Sequence, residues 1–340
     1  MKTGGRRLTL ISGKGGVGKT TLASALALGS AARGEPTVLI SLENTDDRHP
    51  VFGIPFGYEA TPVPDAAGSL SLLRVEALPA VKEYVRRKLP FGRLYDGAFD
   101  SRAFRDFAAA TPGFEELMVL GKLYDLATTS GFRHLVFDAP ASGHLRQLVN
   151  VPAAAMAAVR LGPLYDIARK IDRLLKTPTA TAVVLPVLAE EMPLRETAEL
   201  AEFVDERLGV PCEFVINRVL DAGLDDEQLA RFEATVVTRD DRPLIATAVR
   251  ELSLRGRAQR ESLAQACREW PSAAARLDHA VRLPQITPPG DAMPNSVAAP
   301  NSVEANGLDW SFAINRAVAE AMIPMLEAVL DSLEAGVGGR

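Results

Sequence analysis

Leu8-Thr9-Leu10-Ile11-Ser12 runs directly into Gly13-Lys14-Gly15-Gly16-Val17-Gly18-Lys19-Thr20, and the residues from Thr21 to Ala32 are dominated by alanine and leucine. An apolar strand, the pattern GxxxxGK(S/T) and then a helix former is the context in which a glycine-rich turn cradles phosphate. Glycines let the backbone wrap so that successive N–H groups point inward, and the start of the helix adds a favourable dipole. Gly13, Gly15, Gly16, Val17, Gly18, Lys19, Thr20 and Thr21 are therefore assigned to the phosphates of a nucleoside triphosphate. In this reading Lys19 neutralises the β- and γ-phosphate oxygens and the Thr20 hydroxyl ligates Mg²⁺.

Working outward, short apolar runs alternate with longer helical patterns, as in βαβ units around a parallel sheet. Strands are expected at Leu8–Ser12, Thr37–Ser41, Leu70–Val75, His134–Phe137, Ala180–Pro186 and Cys212–Ile216. Each is almost continuously apolar, as strands buried on both faces must be. The expected fold class is α/β, a mostly parallel sheet flanked by helices with a helical subdomain inserted. Residues 1–76, 131–150 and 177–290 form the expected core, and 77–130 and 151–176 the helical subdomain, where the helical patterns carry charged faces. Residues 283–308 are rich in Pro, Asn, Ser and Ala and repeat Pro294-Asn295-Ser296-Val297 as Pro300-Asn301-Ser302-Val303, which reads as a flexible linker. Beyond it, over 309–335, Trp310, Ile314, Val318, Met322, Met325 and Val329 recur at helical spacing, an amphipathic helix that either docks on its own domain or meets a partner.

Composition narrows the function. Against 38 Lys and Arg stand 43 Asp and Glu, so there is no basic footprint for nucleic acid. The two cysteines, Cys212 and Cys267, form neither a CxxC pair nor a disulfide framework, which points to reducing cytoplasm. The apolar stretch Leu8–Ile11 behind the basic Met1–Arg7 is too short for a signal peptide. No run approaches the eighteen or so apolar residues of an integral membrane segment. Asp138, at the C-terminal end of a strand, stands where open α/β sheets bind ligands.

Several segments resemble the arsenite-transport and tail-anchored-protein-targeting ATPases. Lys14, directly after the first glycine, resembles the deviant cradle lysine of dimeric ATPases, which reaches into the partner's nucleotide site. Asp138-Ala139-Pro140-Ala141-Ser142-Gly143-His144 looks like that family's switch II, Glu190 to Thr197 like the start of its next helix, and Pro112 to Glu116 like a helix start in its client-handling subdomain. Asn217-Arg218-Val219 falls where relatives place an adenine-reading asparagine. The resemblance implies that Asp138 holds the Mg²⁺ hydration shell, that Gly143 offers its N–H to the γ-phosphate and that Asn217 reads the base, its amide both donating and accepting. His144 is a structural hydrogen-bonder or a switch residue.

One departure bears on rate. Relatives carry Asp-Pro-Ala after the second strand, with the aspartate positioning the attacking water, whereas this chain reads Ser41-Leu42-Glu43-Asn44-Thr45-Asp46-Asp47. Glu43 takes the aspartate's place with one methylene more, and a displacement near 1 Å costs roughly a hundredfold in rate. Weak ATP hydrolysis is expected, with Lys14, Lys19, Glu43 and Asp138 as the catalytic set and Asp46 or Asp47 as substitutes for Glu43. Without clustered cysteines neither zinc nor arsenite activation is expected.

With a single cradle, a complete nucleotide sandwich needs a second subunit, a copy or a paralogue. The resemblance implies an ATP-driven dimeric switch that binds and releases a protein client, a hydrophobic helix, through apolar residues such as Leu117, Met118, Leu120, Leu123, Met156 and Leu164. Two other readings are a septum-positioning or chromosome-partitioning type of scaffold ATPase, and a weakly hydrolysing half of a heterodimer.

Overall fold

A computed structural model describes residues 7–42, 47–64, 66, 69–88, 101, 102, 106, 111–220, 226–237, 243–285, 322–327, 329 and 331. Among them an eight-stranded sheet runs in the order β3-β4-β2-β5-β1-β6-β7-β8. The strands are β1 (Arg7–Ile11), β2 (Thr37–Leu42), β3 (Thr61–Pro62), β4 (Leu70–Val75), β5 (His134–Asp138), β6 (Thr181–Leu188), β7 (Cys212–Val219) and β8 (Val281–Pro284). All neighbours are parallel except the short β3–β4 pair at one edge. The six strands expected from apolar runs are present, and the mostly parallel α/β fold with them. Only the two-residue β3 and the four-residue β8 escaped, being too short to carry a pattern.

The apolar runs are continuous because both faces are covered. Leu8, Leu10, Leu135, Phe137, Val183 and Leu185 join one core cluster, while Ile11, Leu39, Leu72, Val136, Val184 and Val215 join another. Alternate residues of a strand point to opposite faces, so each strand feeds both cores.

The first face is covered by α2 (Ala77–Lys88), α3 (Phe114–Thr129), α4 (Ser142–Ala158), α5 (Pro163–Leu175), α6 (Glu191–Arg207), α8 (Pro243–Glu269) and α9 (Pro271–His279), with α7 (Asp226–Val237) packed on α8. Of the apolar residues expected to meet a client, Leu117, Met118, Leu120 and Leu123 of α3 are buried in this core, while Met156 of α4 and Leu164 of α5 are half-buried. Helix α4 continues unbroken across residues 150 and 151, so the sheet core and the helical layer share it.

The second face is covered by α1 (Lys19–Ala32), in which every residue from Leu22 to Ala31 is buried. A helix apolar all round needs a cover on its outer side. Met322, Leu326 and Val329 supply it, packed around the short 3₁₀ turn Ile323–Leu326, and Arg33 pairs with Glu327 and Asp331. Trp310, Ile314 and Val318 of the same stripe lie outside the described residues.

Candidate functional site

β1 sits between β5 and β6, and the chain turns to opposite sides of it, so the crevice at the C-terminal ends of these strands is a topological switch point. The register places Asp138, the last residue of β5, beside both Ile11, the end of β1, and Ser41, one residue before the end of β2. Residues 12–18 leave β1 over this crevice.

The turn is closed by contacts only glycine permits. A Cβ on Gly13 would lie 2.9 Å from the Pro186 carbonyl oxygen of β6. Gly18 has φ 95°, and a Cβ there would lie 2.5 Å from Asn217 Nδ2. Val17 is buried and anchors the turn, while Gly15 and Gly16 are exposed along its rim.

Two helices present open N-termini in this region. α1 starts after Gly18 with no side-chain cap and no acidic residue in its first turn. α4 starts after Ala141, again with no side-chain cap, and Gly143 is exposed in its first turn. Uncapped N–H groups and the dipole at a helix start form an anion site, and here the two are tied together. Ser12 Oγ donates to the Pro140 carbonyl at 2.7 Å, and Ala139 N donates to the Ile11 carbonyl at 2.9 Å.

The side chains expected to act converge. Thr20 Oγ1 donates to Asp138 Oδ2 at 2.7 Å, and Lys19 Nζ donates to the Lys14 carbonyl at 3.0 Å. Burial pushes the Asp138 carboxyl up to about 6 against the pull of the Thr20 hydroxyl and the Lys19 charge. Burial also lowers the Lys19 ammonium below the ordinary lysine value, opposed by Asp138. A buried carboxylate this poorly solvated favours a nearby cation. One hydroxyl and one carboxylate fit Mg²⁺, which takes one or two protein oxygens and completes its octahedron with water and phosphate.

Lys14 is held within its own chain, its Nζ donating to Glu196 Oε1 of α6 at 2.9 Å. Asn217 Nδ2 donates to the Val17 carbonyl at 2.9 Å and its Oδ1 accepts from Arg218 N. Thr21 is half-buried in the first turn of α1, and His144 is exposed, its N–H donating to the Ala141 carbonyl. Glu43 and Asp46 lie outside the described residues, and Asp47 is exposed, its carbonyl accepting from Phe56 N. Sequence reading missed Glu196 and Gln259 as individual partners. The Glu190–Thr197 segment was a flag for the first, and no local signal marks the second.

Residues 6–161 match the model of the anion-transporting ATPase family. The ATPase BagA of Mycobacterium tuberculosis is 27% identical over 242 residues, covering 67% of this chain and 69% of that protein. An arsenical pump-driving ATPase of Escherichia coli is 27% identical over 253 residues, 68% of this chain and 42% of its own. The ATPase GET3 of Mycosarcoma maydis is 25% identical over 225 residues, 56% of this chain and 66% of its own. With the sheet order and the cradle, these matches support a P-loop ATPase similar to the arsenical-pump and GET3 ATPases.

Proposed function

We propose that the protein is an ATP-dependent dimeric switch that binds MgATP, hydrolyses it slowly and couples the cycle to binding and release of a protein client. The observation that carries this reading is the convergence of two uncapped helix N-termini, Lys19, Thr20 and Asp138 on one crevice. A triphosphate in the cradle would receive N–H groups from residues 13–20 and from the start of α4, and a switch contacted by the γ-phosphate is released when that group leaves. Mg²⁺, when bound, supplies charge neutralisation between phosphate oxygens. Thr20 and Asp138 are the residues that would hold it and its water shell.

Lys14 supports the dimer. Its pair with Glu196 leaves 39% and 34% of the two side chains exposed. Exposed pairs contribute only about 0–1 kcal/mol, so Lys14 can leave Glu196 for a partner's phosphate at little cost. Leu161 supports a client surface. It is 86% exposed at the turn between α4, which carries the half-buried Met156, and α5, which carries the half-buried Leu164.

Size-exclusion chromatography with light scattering tests the switch, with ADP and then with a non-hydrolysable ATP analogue, on the parent and on Lys14→Ala. The expected result is a dimer favoured by the triphosphate and weakened in the variant. An assembly indifferent to nucleotide and to Lys14 would remove the mechanism. Turnover at the parental rate by Glu43→Ala would remove Glu43 from the catalytic set.

A further inference from the structure

Asn217 lies near the end of β7 with its amide already committed on both sides. Its Nδ2 donates to the Val17 carbonyl, 200 positions away in sequence, and its Oδ1 accepts from the next backbone N–H, that of Arg218. A planar trans peptide points its C=O and its N–H in opposite directions. Holding the Val17 carbonyl on the Asn217 side therefore fixes the N–H of Gly18 on the other. Gly18 has no Cβ because that atom would meet the same Asn217 nitrogen.

The support for Asn217 continues into α8. Arg218 has φ 56°, the only positive value at a non-glycine among the described residues, and it needs holding in that conformation. Gln259 holds it, its Nε2 donating to the Arg218 carbonyl at 3.0 Å and its Oε1 accepting from Leu220 N at 2.8 Å. One side chain thus pairs with the backbone on both sides of residue 219, as a neighbouring strand would. α8 in turn packs on α6 and α9.

We propose that Asn217 and Gln259 are positioning residues for the phosphate cradle: Gln259 fixes the C-terminal end of β7, and Asn217 carries that rigidity to the Val17–Gly18 peptide. This rests on the reading of residues 13–20 as a nucleotide cradle and goes beyond base recognition by Asn217. The role concerns phosphate, so it predicts an effect on a ligand that has no base.

Competitive titration of MgATP and of tripolyphosphate with magnesium, on the parent, Asn217→Ala and Gln259→Ala, separates the roles. Both affinities should fall together, by about tenfold in Asn217→Ala and about threefold in Gln259→Ala, the range expected for lost hydrogen bonds. Gln259 lies on the far side of Asn217 from the cradle, and alanine suits its helix, so this variant remains decisive if thermal melting shows Asn217→Ala to be unfolded. Weakened ATP binding with parental tripolyphosphate binding would overturn the proposal and leave Asn217 as a base reader alone. Parental affinities for both ligands, or a parent that binds ATP but not tripolyphosphate, would overturn it as well. A parent that binds neither would take down the cradle reading with it.

Discussion

Thr20 and Asp138, 118 positions apart, meet in a 2.7 Å hydrogen bond where the cradle's helix begins and the central strand β5 ends. The carboxylate sits there against its own solvation: burial raises it to about 6. A carboxylate whose folded value exceeds its unfolded one destabilises the fold above that unfolded value, and fully so above the folded value.

Asp138→Asn should therefore stabilise the nucleotide-free protein at pH 7.5, by on the order of 2 kcal/mol, while removing most magnesium-dependent turnover. Thermal melts with parallel phosphate-release assays check both arms. In the parent, kcat/KM should fall as pH drops through about 6, because protonation discharges Asp138. A variant that melts earlier than the parent would contradict the burial argument.

The glycines of the cradle differ in what they tolerate. Gly18→Ala places a methyl group 2.5 Å from Asn217 Nδ2 at φ 95°, and Gly13→Ala places one 2.9 Å from the Pro186 carbonyl. Each should lower stability by about 1–3 kcal/mol. Gly15 has nothing within 4 Å of an added Cβ, and Gly15→Ala should melt like the parent. Nucleotide-free melting curves of the three variants make the comparison.

Two buried histidines make the fold acid-sensitive. His134 is fully buried beneath α1, between the Thr9 hydroxyl at 2.8 Å and the Ser30 hydroxyl at 2.7 Å. Ser30 donates its one proton to the Glu35 carboxylate, so it accepts from His134 Nδ1, and Thr9 donates to Nε2. Both ring nitrogens are used by the neutral form, and burial, aided by the Arg7 charge, lowers its pKa to about 3. His49, packed against Phe52 and Phe56, is lowered to about 4 by burial. Both rings stay neutral in the fold while the unfolded chain takes up protons below about 6.5, so stability is complete above that value and declines toward pH 4. Asp138 opposes with one proton between its ordinary value and about 6. Urea unfolding should show a net loss near 1.4 kcal/mol per pH unit around pH 5, and a steeper one in Asp138→Asn. A flat profile would contradict it.

Among the described residues, the Lys14 ammonium pairs with Glu196, and the pair is about one-third exposed. Glu196→Gln should tighten triphosphate-dependent dimerisation by no more than about fivefold, because the pair is worth at most about 1 kcal/mol. Sedimentation velocity over a concentration series measures this. A loss of dimer in Glu196→Gln would mean that Glu196 serves the interface rather than restrains it.

What could be read from the sequence was what local pattern carries. The cradle, the six long strands and the position of Asp138 at a strand end all follow from apolar runs and glycine spacing within a few residues. The partners of those residues did not follow, because sheet order sets them. Glu196 reaches Lys14, Asn217 reaches Val17 and His134 reaches Ser30 only because β1 lies between β5 and β6 and α1 lies across them. His134 read simply as the first residue of a strand, since nothing in its neighbourhood announces Thr9 or Ser30. The apolar residues of α3 show the converse: a stripe at helical spacing marks a buried face without telling core from groove.

Isothermal titration of MgATP into the parent and into Lys19→Ala tests the central claim most directly. Saturable binding to the parent, weakened at least about tenfold in the variant by loss of charge-assisted contacts to phosphate, is the result the cradle requires. No heat of association with the parent, or equal affinity with and without the lysine, would contradict it.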